Sequence, residues 1–154
     1  MEAAQAGQQG EMLGIERIKQ LIPHREPFLL IDHVADILPG ASAVGIKQLT
    51  GQEDFFRGHF PRRKLMPGVL IIETMAQTAA VLVVHTLGPS AEGKLVYFMS
   101  VEKARFRKPV VPGDELRVKV VCLQNRGRVW KFDSLATVGG TRVAEATFTA
   151  MVVD

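Results

Sequence analysis

Several residue types are scarce in this sequence of 154 residues, and each scarcity excludes a class of protein. Cysteine occurs once, at Cys122, so a scaffold held by disulfides within the chain is excluded. Aromatic residues make up only 6% of the chain, and no motif for stacking nucleic-acid bases is present. The formal net charge is only +3, which does not indicate a nucleic-acid partner.

The N-terminal segment lacks the features of a targeting sequence. Its first twelve residues are small and polar, without a basic start, an apolar core or an arginine. We expect residues 1–12 to form a disordered tail and residues 13–154 to form one domain. Hydrophobic residues make up 47% of the chain and charged residues 23%, which is typical of a soluble globular protein, and we expect a cytoplasmic location.

The hydrophobic pattern predicts two strands, one apolar helix and about four further strands. Residues 28–38 and 41–50 are apolar and β-branched on either side of a Pro-Gly turn, which predicts a hairpin. Residues 69–86 predict a helix with Pro67 at its start. From residue 94 onward, strand-like segments are joined by short turns, so the sheet is predicted to be antiparallel.

The predicted helix is apolar almost all round and must therefore be covered on most sides. A curved antiparallel sheet wrapped around it, in an α+β fold, meets this requirement. Any uncovered part of the helix, together with exposed sheet edges, favours a dimer. Glu73, Gln77 and His85 interrupt the apolar run, and Gly68 and Gly88 bracket it closely, so we expect a buried helix and no membrane association.

Glu73 is the only acidic residue in this apolar helix. An unpaired carboxylate in apolar surroundings is costly, so folds tolerate one mainly where it is paired or used. His59 lies fourteen positions earlier, within a loop-like segment that contains Gly58-His-Phe-Pro61. A histidine and a largely buried glutamate form a natural acid–base pair, and we hypothesise that these two residues are the reactive centre.

Several motifs, in order and at matching intervals, resemble those of one enzyme family. They are His24-Arg-Glu-Pro-Phe-Leu-Leu-Ile-Asp32, Gly58-His-Phe-Pro61, Met66-Pro-Gly-Val-Leu-Ile-Ile-Glu73, Met75-Ala-Gln77 and Val96-Tyr-Phe-Met99. From about Ile15 onward the chain resembles the (3R)-hydroxyacyl-acyl carrier protein dehydratases of type II fatty acid synthesis. The resemblance implies a hot-dog fold and the removal of water from (3R)-hydroxyacyl chains on acyl carrier protein, which yields trans-2-enoyl chains.

The resemblance also implies roles for the two candidate residues. His59 would be the base that takes a proton beside the thioester carbonyl, and Glu73 would position or protonate the leaving hydroxyl. In this family the two residues come from different subunits of a dimer. Charge on the thioester oxygen would be stabilised at the helix N-terminus, where Pro67 has no N–H, so we expect Gly68 and Val69 to donate. No residues have metal-ligand spacing, and we expect neither a metal nor a cofactor.

Two further positions remain open between a functional and a structural role. Gln77 lies one turn beyond Glu73 and either orients its carboxylate or is an ordinary polar helix residue. By resemblance Tyr97 lines the entrance of the acyl tunnel, although ordinary strand packing explains it equally well. Ala79-Ala80 replaces a Gly-Gly pair that is common in relatives, which leaves the preferred chain length open. We expect His24 not to take part directly in catalysis.

Basic residues cluster in two places, either as solvated faces or as a surface for an acidic partner. Under the dehydratase hypothesis an acidic carrier protein docks on Arg62, Arg63, Lys64, Arg105 and Lys108. The resemblance also implies a homodimer with shared active sites, and we expect a trimer of such dimers.

Two other functions remain open. The first is a hot-dog thioesterase, in which Glu73 would assist attack of water on the thioester. Such an enzyme has no need of His59 in the Gly-His-Phe-Pro motif. The second is an acyl-binding or scaffold protein without catalysis, which would tolerate loss of His59 and of Glu73.

Overall fold

The order of helices and strands follows the sequence prediction closely. The computed structural model describes residues 11–154. Its elements in chain order are β1 (Glu11–Leu13), α1 (Ile15–Leu21), β2 (His33–Leu38), β3 (Ser42–Gln48), α2 (Gly68–Leu87), β4 (Leu95–Phe106), β5 (Glu115–Arg126), β6 (Val129–Val138) and β7 (Thr141–Val153). Single turns of 3-10 helix lie at Asp54–Arg57 and Pro89–Ala91.

The strands form one seven-stranded sheet in the order β1-β2-β3-β5-β6-β7-β4, and every neighbouring pair is antiparallel. Short turns join β2 to β3, β5 to β6 and β6 to β7, as the sequence predicts. The strand that follows α2 pairs with the last strand of the chain, so β4 lies at the edge of the sheet. A sheet of this order wrapped around one long helix is the hot-dog fold.

Helix α2 forms the centre of the hydrophobic core. Nearly all of its side chains from Thr74 to Val84 are buried against the sheet. Its buried hydroxyls are satisfied locally, because Thr74 Oγ1 donates to Leu70 O and Thr78 Oγ1 donates to Thr74 O, each at 2.8 Å. The helix is long and apolar enough to cross a membrane, but most of it is buried inside the domain, which is typical of a core helix.

The sheet approaches α2 most closely at Gly45 in β3. A Cβ atom at this position would overlap Thr78 Oγ1 and would lie 3.1 Å from Thr78 Cβ. Glycine is therefore required here by the available space rather than by the backbone conformation. At the other end of α2, Gly88 adopts a φ of +98°, and its N–H donates to Val84 O, which ends the helix.

Residues 28–38 are not one continuous strand, contrary to the sequence prediction. Only His33–Leu38 pairs as β2, because the backbone before it bonds to a helix side chain. Leu30 N–H donates to Gln77 Oε1, and Gln77 Nε2 donates to Phe28 O, both at 2.8 Å. A side chain on α2 thus takes the place of a neighbouring strand, which the periodicity of the segment itself does not show.

The prediction of a disordered N-terminal tail stays a prediction. Residues 1–10 of the expected tail lie outside the described residues. The last two residues of that tail belong instead to β1, which pairs with β2 through Glu11 opposite Ile37 and Leu13 opposite Val34. The first element of the described residues is therefore a strand that begins at Glu11.

Strand β4 is exposed along most of its length, although it contains many apolar residues. Leu95, Tyr97, Met99 and Val101 are each between 42% and 52% exposed. Among the described strands, β4 pairs with β7 alone, which leaves the other edge of β4 open. An open, apolar sheet edge is a surface that pairs readily with another strand.

Candidate active site

The His59 ring is held by the loop that precedes α2. Its Nδ1 lies 2.8 Å from Leu65 O, and the backbone N–H of Leu65 donates to His59 O at 2.9 Å. A carbonyl oxygen can only accept, so Nδ1 carries the proton, and in the neutral ring Nε2 presents a lone pair. The Phe60 ring stacks on the imidazole with 4.1 Å between centroids. His59 is therefore oriented as a base through Nε2.

His59 lines a cleft of about 450 Å³ at the start of α2. Gly68 and Val69 line the same cleft, and their backbone N–H groups belong to the first turn of the helix, where no carbonyl within the helix accepts from them. Ile71, Val110 and Phe106 contribute apolar walls. A base, a pair of free amide donors and an apolar wall therefore meet in one place.

Glu73 lies one turn further along α2, and its side chain is 18% exposed. Gln77 Nε2 donates to Glu73 Oε2 at 3.0 Å. Burial raises the pKa of the Glu73 carboxyl above its ordinary value, and the hydrogen bond from Gln77 opposes this rise. The protonated form, which can give a proton to a leaving group, is therefore favoured relative to an exposed glutamate.

Gln77 is fully buried and uses both ends of its amide. Besides the bond to Glu73, it holds Phe28 O and Leu30 N–H of the segment before β2. These bonds fix which amide atom is nitrogen, because the backbone carbonyl accepts and the backbone N–H donates. The Gln77 amide thus lies against the Glu73 carboxylate, which is the arrangement expected if Gln77 orients Glu73.

His24 lies on the other side of Glu73, with Nε2 3.6 Å from Glu73 Oε2. Burial, followed by the positive charge of Arg25, lowers the pKa of His24, which favours the neutral imidazole. Its Nδ1 is buried without a hydrogen-bond partner among the described residues. His24 was not expected to take part directly in catalysis, yet it lies beside Glu73, the candidate acid.

The structure does not bring His59 and Glu73 into one cleft within a single chain. Glu73 is not among the residues of the described chain that line the cleft around His59. Val69, Glu73 and Gln77 are spaced by four residues and share one face of α2, and Val69 at the start of that face is 71% exposed. This face is uncovered at Val69 and becomes buried toward Gln77.

The expected tunnel and docking residues lie in different places. Tyr97 is half-exposed on β4 and does not line the cleft in residues 11–154. Arg62, Arg63 and Lys64 are exposed on the loop that carries His59, and Lys108 lines the cleft itself. Arg105 instead lines a groove on the sheet, of about 630 Å³, together with Lys103, Lys119 and Arg142.

The side chains that could bind a metal ion do not cluster in the described residues. No three histidine, cysteine, aspartate or glutamate residues within the described part of the chain lie close enough to share an ion. The expectation of chemistry without a metal or a cofactor stays a prediction.

Sequence reasoning passed over Phe106 in this region and considered Arg107 only as a member of the second basic cluster. Both residues line the cleft, although Phe106 is the last residue of β4 and Arg107 follows it, far along the chain from His59. The sequence signal available for them was weak: they belong to a basic and aromatic stretch that precedes Pro109. The folded structure shows that this stretch reaches the start of α2, where the Phe106 ring lies against Gly68.

The fold and this arrangement define a hot-dog domain with a candidate acid–base pair at its central helix. The model of the FabA-like domain family matches residues 22–147, which is most of the chain. Relatives named 3-hydroxyacyl-acyl-carrier-protein dehydratase FabZ are 62% identical in Paramagnetospirillum magneticum and 60% identical in Acidiphilium cryptum. The aligned regions cover 94% and 95% of this chain and 90% and 88% of those proteins, respectively. The chain therefore belongs to the FabZ dehydratases within the FabA-like family, which are hydro-lyases.

Solved structures support the fold independently. The dehydratase heterocomplex ApeI:P from Xenorhabdus doucetiae aligns with a TM-score of 0.75 at 16% identity, over 89% of this chain and 91% of that one. The uncharacterised protein PH1136 from Pyrococcus horikoshii aligns with a TM-score of 0.65 at 18% identity, over 95% of each chain. At such low identity these similarities show the hot-dog fold alone.

Proposed function

We propose that this protein dehydrates (3R)-hydroxyacyl-acyl carrier protein to the trans-2-enoyl thioester during fatty acid synthesis in the cytoplasm. The observation that carries the proposal is the meeting of His59 and the N-terminus of α2 in one cleft. The names and high identity of the FabZ relatives support the same reaction.

His59 is the base of the proposed reaction. Its Nε2 lone pair takes the proton from C2, the carbon next to the thioester carbonyl. As that proton leaves, negative charge develops on the thioester oxygen. The backbone N–H groups of Gly68 and Val69, at the positive end of the helix dipole, stabilise this charge.

Glu73 is the acid of the proposed reaction. The bond from C3 to the hydroxyl oxygen breaks, the electron pair of the former C2–H bond forms the C2–C3 double bond, and Glu73 gives its proton to the leaving oxygen to make water. Burial of Glu73 and its hydrogen bond from Gln77 support this role, because they hold a carboxyl in place with its protonated form favoured. The cycle is complete when the proton on His59 is exchanged and Glu73 is protonated again.

We infer that the two residues of each site come from different subunits of a homodimer. Within one chain Glu73 does not line the His59 cleft, and Val69 between them is 71% exposed. The open, apolar edge of β4 is a suitable surface for a second copy, since pairing two such edges satisfies their backbone groups. Glu73 of the partner subunit would then face His59, and three such dimers would form the complete assembly.

The basic residues around the cleft suit an acidic carrier protein. Arg62, Arg63 and Lys64 are exposed beside His59, and Lys108 lines the cleft. Arg105 lines the separate groove on the sheet, so its part in docking is the least supported of the five. Tyr97 keeps its proposed place at the tunnel entrance only if the β4 edge meets a second copy.

Analysis of the product from a short (3R)-hydroxyacyl carrier thioester tests the proposal directly. Dehydration produces the absorbance of a conjugated enoyl thioester and leaves the thiol blocked. Release of free thiol without the conjugated product would identify a thioesterase instead. Binding of the acyl carrier without either product would mean a non-catalytic protein and would overturn the proposal.

A further inference from the structure

Gly68, the first residue of α2, has no side chain because the Phe106 ring occupies that space. An ideal Cβ on Gly68 would lie 2.7 Å from Phe106 Cε1, 2.9 Å from Cδ1 and 3.0 Å from Cζ. The φ of Gly68 lies outside the left-handed region, so the backbone itself would accept alanine, which is the better helix former. Contact with the ring is therefore the reason for glycine at this position.

Phe106 reaches this place because β4 shifts its pairing register near its end. Between Glu102 and Arg105 the register with β7 changes, and Lys103 adopts a φ of +55°. Phe106 is then the last residue of the strand, opposite Ala144. The ring is 52% exposed and lines the cleft with His59 and Gly68, so it forms a wall of the site rather than part of the core.

We propose that Phe106 is a specificity-determining residue that restricts the enzyme to acyl chains without a branch at C2. This inference rests on the proposed dehydration, in which the thioester oxygen accepts a hydrogen bond from Gly68 N–H and C2 lies within reach of His59 Nε2. A ring that occupies the Cβ position of Gly68 would lie beside that carbonyl and its neighbouring carbon. A 2-methyl group needs about 4 Å of separation from the ring carbons, whereas a Cβ built on Gly68 would lie only 2.7 Å from the ring, so the space beside the helix start is already filled on that side.

The test compares kcat/KM for a (3R)-hydroxyacyl thioester with that for its 2-methyl analogue, in the wild-type enzyme and in variants at position 106. In Phe106→Ala the ratio of branched to unbranched kcat/KM should rise by roughly 10-fold or more, the usual effect of space for one methyl group. Phe106→Leu should give a smaller rise. Leu123→Ala, which truncates an apolar residue that is 53% exposed outside the cleft, should leave the ratio at its wild-type value.

A double-mutant cycle tests the contact itself. Gly68→Ala adds a methyl group that pushes the ring toward the substrate, so it should lower kcat/KM for the unbranched thioester. In a Phe106→Ala background the same change should cost much less, since the ring is absent. Equal costs in both backgrounds would overturn the assigned contact.

Failure of this inference differs from failure of the proposed function. If the wild-type enzyme does not dehydrate the unbranched thioester, the proposed function is wrong. If it does, and the ratio in both Phe106 variants stays within about twofold of the wild type, only the role of Phe106 is wrong. Thermal unfolding identifies any variant that does not fold, and Phe106→Leu retains most of the side-chain volume if Phe106→Ala is unstable.

Discussion

At the scale of single residues, the bond between His59 Nδ1 and Leu65 O decides which nitrogen can act as a base. His59→Gln retains an amide donor but has no basic nitrogen, so kcat should fall by about 10²- to 10⁴-fold. His33→Gln, at an exposed histidine outside the cleft, is the matched control and should retain wild-type activity. Steady-state rates on one carrier substrate check this, and near-normal turnover in His59→Gln would remove His59 from the mechanism.

Glu73 adds a dependence of stability on pH. Because burial raises its pKa in the folded protein, the folded state holds the Glu73 proton at a pH where the unfolded chain releases it. The free energy of unfolding therefore falls as pH rises from the ordinary glutamate value of 4.5 to the raised one. Glu73→Gln has no carboxyl to titrate, so this fall in stability is absent from the variant. The Tm of the variant minus the Tm of the wild type should therefore increase across that pH interval and stay constant above it. A gap in Tm that is the same at every pH would contradict the raised pKa.

The local relationships among site residues follow from spacing in the sequence, whereas the distant ones do not. Glu73 and Gln77 are separated by one helical turn, so their contact follows from the helix alone. The approach of His24 to Glu73 depends on a connector whose path is set by Gln77, and Phe106 reaches Gly68 only through the irregular register of β4. Long-range contacts of this kind have no signature in periodicity.

At the scale of elements, the closest contact of helix and sheet gives a test of the packing. Gly45→Ala would place a methyl group against Thr78 and should lower the free energy of unfolding by about 1–3 kcal/mol. In a Thr78→Ala background the additional loss should be smaller. Chemical denaturation measures both effects. Gly58→Ala is the control, because nothing lies within 4 Å of its added Cβ and its φ is negative, so equal losses at both glycines would contradict this packing.

The prediction of elements succeeded where the pattern was long and regular. The apolar run, with Pro67 before it and Gly88 after it, gives α2 to within about one residue at each end. The four later strands were predicted because polar turns separate them. Residues 28–32 were assigned wrongly to a strand, because their composition suits a strand while their hydrogen-bond partner is a helix side chain. Strand β1 is too short to produce a detectable alternation.

At the scale of the whole molecule, the proposed sharing of sites between subunits predicts complementation between two inactive variants. Mixed dimers of His59→Ala and Glu73→Ala contain one intact site and one site that lacks both residues. Random exchange of subunits should therefore restore about a quarter of the wild-type activity. Native mass spectrometry of size-labelled subunits confirms the exchange, and no recovery among confirmed mixed dimers would place both residues of a site in one chain.

The proposed docking of the carrier protein depends on the combined charge of several exposed basic residues. Replacing Arg62, Arg63 and Lys64 together by alanine should raise the apparent KM for carrier-linked substrate several-fold, with the larger effect at low salt. The KM for a short pantetheine thioester, which has no carrier protein, is the internal control and should not change. If KM for the carrier substrate is the same in the variant and the wild type, these residues do not dock the carrier.

The two hydrogen bonds that join Gln77 to the backbone of Phe28 and Leu30 make the segment before β2 part of the support for the proposed reaction centre. A single proteolytic cut in that segment would release the Gln77 amide, which holds the Glu73 carboxylate in place. His59 and Glu73 would both still be present. Limited proteolysis before β2 should therefore abolish activity without removing either His59 or Glu73. Insertions and linkers for fusion proteins are best kept away from this short connector.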